Sequence, residues 1–293
     1  GVSIYMKGIE VRQVTKSFDK KMILNGIGLT IEPNKIYGLL GRNGAGKSTL
    51  LNLLVNRIPA DTGEIRLDNK VIRDNDEQLS KMFLMSEVNL YPKNLKVRDI
   101  FKWTKNFYGD FDDELAQDLS EKFGLQTNII FNKLSTGYRT IMKLIVALAV
   151  PVEYVFLDEP VLGLDAGHRE IFYNALVETY AENPRTFVIS THLIEEVANL
   201  IEHVLVIDQG RLIVDDEAEK ILGEAYVISG PEDKVDEYTE GLNVIGSDKL
   251  ARIKASYVFG NLDGKPISDL INIDQMDLQT LFVNLTNGGN ENE

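Results

Sequence analysis

The sequence has 293 residues, 44% apolar and 26% charged, which suits one large or two smaller folded domains with a substantial core. Its formal charge of −14 argues against nucleic acid and anionic membrane surfaces as direct partners, because both are gripped by clustered Lys and Arg. The lack of cysteine excludes disulfides and thiolate metal sites, and the apolar run Leu144 to Val152 falls well short of the about 20 residues that span a bilayer. No basic-then-apolar leader opens the sequence, so the expectation is a cytoplasmic protein that reaches a membrane only through a partner.

In chain order, residues 8–31 alternate as strands do, with Ile9, Val11 and Val14, then Ile27, Leu29 and Ile31, separated by the polar run Lys16 to Lys21. Lys35 to Leu40 reads as a short buried strand, followed by a glycine loop and by helical spacing from Ser48 to Arg57. A strand pair, Gly63 to Leu67 and Lys70 to Ile72, follows the turn Asp61-Thr62-Gly63. From about 95 to 150 the period is helical. Ile100, Trp103 and Phe107 fall on one face, as do Leu115, Leu119 and Phe123. A third stripe comprises Ile141, Leu144, Ile145 and Leu148. The strand-like runs Tyr154 to Leu157, Thr186 to Ser190 and Val204 to Ile207 alternate with helical segments, which predicts a largely parallel sheet.

The expected organisation is therefore a first domain over 1–217, an α/β core with a helical insert at about 88–150. A small α+β appendage over 218–286 carries Tyr226 to Ile228, Leu250 to Val258 and a helix-like stretch Asp277 to Leu285. Residues 287–293, NGGNENE, read as a disordered tail.

Gly41 to Ser48 fits G-x-x-x-x-G-K-[ST], preceded by a strand and followed by a helix, the context that distinguishes a phosphate cradle from an ordinary glycine-rich turn. Glycines let backbone N–H groups converge on phosphates, and the helix adds the positive end of its dipole. Asn43, Gly44, Ala45, Gly46, Lys47, Ser48 and Thr49 would wrap the phosphates, with Lys47 at the β- and γ-phosphates and Ser48 on Mg²⁺. An acid at the end of an apolar strand should complete such a site. Tyr154 to Leu157 runs into Asp158 and Glu159, which in isolation would read as solvated loop residues. About a hundred residues after a phosphate loop, Asp158 suits the Mg²⁺ shell and Glu159 the water-polarising role.

Between these motifs lies Leu134-Ser135-Thr136-Gly137-Tyr138, opening the helix with the third apolar stripe. With it the sequence resembles the nucleotide-binding subunits of ATP-binding cassette (ABC) transporters, bacterial exporter types in particular, over about residues 7–217. The resemblance implies a P-loop NTPase (RecA-like) core with an antiparallel β subdomain and an α-helical insert. It implies that Ser135 and Gly137 grip the γ-phosphate held by an opposite subunit. LSTGY departs from the family's Leu-Ser-Gly-Gly-Gln at the third and fifth places, and a helix N-cap at Ser135 is compatible with either role.

By the same resemblance Asp165, closing Val161-Leu162-Gly163-Leu164-Asp165, meets the partner subunit. His192, in Ser190-Thr191-His192, bridges the γ-phosphate and Glu159. Phe18 stacks on adenine, with a core aromatic as the alternative. His168 and His203 have no such context and read as structural. The family's Mg²⁺-touching Gln is replaced by Ser86, which is too short to reach as Gln does. The implied activity is ATP hydrolysis with Mg²⁺, through head-to-tail pairing with a second nucleotide-binding subunit and an integral-membrane permease. Export of peptides, antibiotics or similar amphiphiles is the expected transport. A soluble cassette ATPase and a nucleotide-dependent switch remain as alternatives.

Overall fold

A computed structural model describes residues 7–287. The chain forms two compact units. One holds the residues up to His192 together with Ile207–Ile213, and the other holds Leu193–Val206 and the residues from Val214 on.

In the first unit, strands β1 (Ile9–Phe18), β2 (Lys21–Ile31), β4 (Thr62–Leu67) and β5 (Lys70–Val71) make an antiparallel sheet in the order β2-β1-β4-β5. The alternating apolar residues Ile9, Val11, Val14, Ile27, Leu29 and Ile31 all point into the core. The polar run expected to separate the strands lies largely within them. The chain reverses at Asp19 and Lys20, both at positive φ, a two-residue hairpin turn. Lys16 is buried in β1 because its ammonium meets Asp61 at 3.1 Å and lies 5.2 Å from the Phe18 ring centroid.

A second sheet contains β3 (Ile36–Leu40), β6 (Met82–Met85), β7 (Tyr154–Asp158), β8 (Thr186–Thr191), β9 (His203–Asp208) and β10 (Arg211–Glu217). Its order is β10-β9-β3-β8-β7-β6, with β3, β8, β7 and β6 paired in parallel. The boundary between the units runs through β9 and β10. Every residue of β3, β7 and β8 is buried, as a parallel sheet covered on both faces requires. Helices α1 (Lys47–Leu54), α2 (Asp76–Leu79), α3 (Val97–Tyr108), α4 (Asp113–Phe123), α5 (Thr136–Ala149) and α6 (Ala166–Glu182) complete this unit. Helix α5 is the most buried of these, with every residue from Thr140 to Ala149 inside. On α3 the expected apolar face splits. Ile100 is buried, whereas Trp103 is exposed and Phe107 is 72% exposed, the two rings stacked 6.3 Å apart.

In the second unit, α7 (Ile194–Val197) and α8 (Ala218–Gly223) precede an antiparallel sheet of β11 (Ala225–Pro231), β12 (Val244–Leu250), β13 (Ile253–Phe259) and β14 (Asn272–Gln275), ordered β12-β13-β11-β14. Helix α9 (Glu232–Thr239) connects β11 to β12 past the intervening β13, a split β-α-β arrangement. Its Val235 and Tyr238 pack with Ile228, Val258 and Ile271. The strand read over Leu250 to Val258 is broken after Leu250 by Ala251 at positive φ, so Leu250 ends β12 and the rest belongs to β13. Helix α10 (Leu278–Asn287) ends the described chain. Of the tail expected over 287–293, Asn287 is helical and the remainder lies outside the described residues.

Candidate active site

The turn from β3 into α1 is built around glycine. Gly46 caps α1 at φ +113, and a Cβ there would lie 2.5 Å from Leu24 Cδ2. With no side-chain cap and no acid in its first turn, α1 leaves its first N–H groups open to an anion. Lys47 is buried, and its ammonium donates to the Gly41 carbonyl and lies 3.8 Å from Glu159 Oε1. Burial pushes its pKa down, against the pull of Glu159 and Asp158.

Across from this loop, β7 ends at Asp158, registered beside Ser190 of β8. Glu159 follows at φ +48, a left-handed conformation costing about 1–3 kcal/mol in a non-glycine residue. It is held there by its N–H donating to Ser190 O at 2.8 Å. Its carboxylate accepts from Thr191 Oγ1 at 3.3 Å through Oε2 and meets His192 Nδ1 at 3.0 Å through Oε1. The last two residues of β8 and the one that follows it thus orient Glu159.

Asp158 is buried, and its Oδ1 has no hydrogen-bond partner. Burial raises its pKa, opposed by the Ser48 hydroxyl and then by Lys47. An orphaned buried carboxylate oxygen beside a serine hydroxyl suits a hard divalent cation such as Mg²⁺. Among the described residues no group of three or more His, Cys, Asp or Glu side chains could hold a metal unaided. Such an ion would therefore take further ligands from phosphate oxygens.

These groups line one cleft of about 860 Å³. Of the residues singled out from sequence, Phe18, Asn43, Gly44, Gly46, Lys47, Ser48, Thr49, Asp158, Glu159 and His192 meet there. Phe18 is 45% exposed at its rim, which removes the core-aromatic alternative. The lining carries the cations Lys21, Arg42 and Lys47 and the acids Glu87, Asp158 and Glu159.

Four of the expected residues do not line this cleft. Ala45 is buried; its N–H donates to Arg42 O at 3.0 Å and its carbonyl accepts from Gly210 N–H at 3.1 Å. Ser135 is exposed and caps α5, accepting from Tyr138 N–H at 3.2 Å, with Gly137 two residues on. Asp165 caps α6, accepting from His168 N–H at 2.9 Å and pairing with His168 Nδ1 at 3.2 Å.

Two features escaped the motif reading. One is a neighbouring apolar groove of about 220 Å³, lined by Met85, Val88, Leu90, Trp103, Phe107 and Tyr108 among others, with Arg57 in its wall. The other is Lys143, whose ammonium donates to Ser86 O at 2.9 Å, Glu87 O at 3.1 Å and Asn89 Oδ1 at 3.1 Å. Its one visible signal is a lone cation in the apolar run Ile141 to Val150.

A strand-loop-helix phosphate cradle facing a strand-end carboxylate pair defines a nucleotide-hydrolysing P-loop protein. Residues 24–162 match the family model described as ABC transporter. The chain is 30% identical over 196 residues to the ABC transporter ATP-binding protein YtrB of Bacillus subtilis, covering 67% of each. It is 29% identical over 210 residues to the bacitracin transport ATP-binding protein BcrA of Bacillus licheniformis, covering 70% of this chain and 68% of BcrA. A solved ATP-binding subunit of an ABC transporter shares the fold with a TM-score of 0.67 at 18% identity, over 73% of this chain and 91% of that one. The chain belongs to the ATP-binding proteins of the ABC transporter family. It is an ATPase whose hydrolysis is coupled to transport, and no helix among the described residues is long and apolar enough to cross a membrane.

Proposed function

We propose that this chain is one half of an ATP-closed pair of nucleotide-binding subunits, working at the cytoplasmic face of a membrane beneath a permease. One observation carries the reading: Ser135 and Gly137 line no part of the cleft that contains Lys47, so a γ-phosphate there would meet a Ser135 segment only from a second chain. ATP then contributes contacts that exist only in the closed pair, and hydrolysis removes them. Asp165, exposed at the start of α6, contacts the partner in the same arrangement.

Within each cleft, Lys47 and the open N–H groups of α1 hold the phosphates, and Phe18 stacks on the base. Glu159 orients the attacking water and accepts its proton, while His192 holds the carboxylate from the other side. Mg²⁺, held by Asp158 and Ser48 together with phosphate oxygens, would neutralise charge developing on the transferred phosphoryl group.

Residues 1–217 act as the nucleotide-binding domain, its insert at about 88–150 relaying motion, and 218–286 as an appendage. The apolar groove beside α3 receives a helix of the permease, which accounts for two aromatic rings left in water. The cargo is peptides, antibiotics or similar amphiphiles and the direction export; the likeness to BcrA, a bacitracin transport protein, supports the class of cargo. The test is the oligomeric state of Glu159→Gln with Mg-ATP, read by light scattering. A dimer that falls apart when ADP replaces ATP supports the reading. A persistent monomer at high concentration, with the permease supplied, rejects it.

A further inference from the structure

Lys143 is 5% exposed, a lone cation in the apolar run from Ile141 to Val150, with Arg139 and Thr140 one turn before it on the same helix. An ammonium has three N–H donors and no acceptor, and burying one without partners is costly. Here all three donors are matched, by the carbonyls of Ser86 and Glu87 and the side-chain oxygen of Asn89. Two of these acceptors are backbone, so the contact fixes the path of the loop rather than the position of a side chain. Ser86 and Glu87 line the nucleotide cleft, and Ser86 also lines the apolar groove, as does Lys143 itself. Lys143 borders a third cavity of about 320 Å³ together with Asp158 and Glu159. Eight residues earlier, about 12 Å along the helix at 1.5 Å per residue, Ser135 caps α5. The loop that Lys143 holds is where the resemblance expects a long Gln and this chain has Ser86.

Resting on the reading of this site as a partner-coupled ATPase, we infer that Lys143 is a positioning residue for hydrolysis: it ties the Ser86–Asn89 loop to α5, so that cleft wall, groove wall and the Ser135 segment shift as one body. A loop with a short Ser at the usual Gln position is steered by its own backbone, gripped from the helix side.

The test compares the full chain with Lys143→Met, Asn89→Ala and the double variant. In Lys143→Met, kcat for ATP falls at least tenfold, while affinity for a fluorescent ATP analogue stays within twofold because the phosphate loop is untouched. Asn89→Ala lowers kcat about threefold, and the double variant is no slower than Lys143→Met, as members of one network behave. Amide hydrogen exchange accelerates over 86–90 and not over 43–49.

A Lys143→Met kcat within twofold of wild type overturns the inference. So does a double variant whose losses multiply, or a kcat loss matched by equal losses of analogue affinity and folded fraction. Should Lys143→Met fail to fold, Asn89→Ala at its exposed position decides: slower turnover with faster exchange over 86–90 supports the role, and unchanged turnover rejects it. If the wild type itself hydrolysed no ATP, the reading of the site would fall, and the exchange pattern would still decide whether Lys143 pins the loop.

Discussion

Helix α4 opens at Asp112, whose carboxylate accepts from Leu115 N–H at 3.0 Å, and carries Asp113 and Glu114 in its first turn. Helix α1 opens at Gly46, which has no side chain to offer, and its first turn has no acid, in a chain with a formal charge of −14. In α4 the positive helix end is spent on the chain's own carboxylates and returns stability. In α1 it is kept open for an anion the chain does not contain. Helix α5 lies between the two: Ser135 caps it, yet no acid follows, so its exposed start suits both its own stability and a phosphate from outside. The contrast teaches that a functional helix end is recognisable by the stabilising residues it lacks.

Four substitutions press on that contrast. The largest effect belongs to Glu159→Gln. If α1 binds and the end of β7 does the chemistry, turnover measured by phosphate release falls about 10²–10⁴-fold, as for loss of a general base, with ATP still bound. Loss of ATP binding in this variant would show that the two tasks are not separable.

Next comes Gly46→Ala, which places a methyl group against Leu24 at φ +113. It is expected to cost about 1–3 kcal/mol in denaturant unfolding and to weaken ATP binding in parallel. A fully stable Gly46→Ala would mean that the open start of α1 does not depend on glycine. Asp112→Ala, at the capped helix, should cost about 1 kcal/mol of stability and leave kcat unchanged, the signature of a purely structural helix start.

The smallest effect is a gain. Burial holds the Asp158 carboxyl above its ordinary range, so the folded chain binds that proton more tightly than the unfolded chain does. The resulting destabilisation is absent below the unfolded value of about 4 and grows as pH rises through the folded value. Asp158→Asn should therefore stabilise the nucleotide-free protein by about 0.5–1 kcal/mol at neutral pH, shrinking toward pH 4 in a series of melting curves, while losing the Mg²⁺ dependence of ATP binding.

The legible parts of the site were those written in contiguous residues. The phosphate loop, the acid pair after Tyr154 to Leu157 and the Ser190-Thr191-His192 strand end each declare a backbone geometry within a few positions, and the cleft assembles them. Phe18 was legible as an aromatic, and its half-exposure in the cleft lining sets it apart from a core residue. Ala45 sits inside the phosphate motif yet lines no part of the cleft, because a pattern of residue types does not say which way each one faces. On α3 the helical period placed three residues on one face but did not decide their burial. Trp103 and Phe107 share the apolar spacing of Ile100, but no neighbour among the described residues buries them.

Taken by itself, the order of residues determined the local elements and the chemistry of the loops between them, because backbone conformation responds to neighbours three or four positions away. Tertiary structure alone decided what Lys143 does. Its acceptors lie 54 to 57 positions earlier in the chain, and a buried ammonium becomes a clamp rather than a defect only when the sheet brings those oxygens to it.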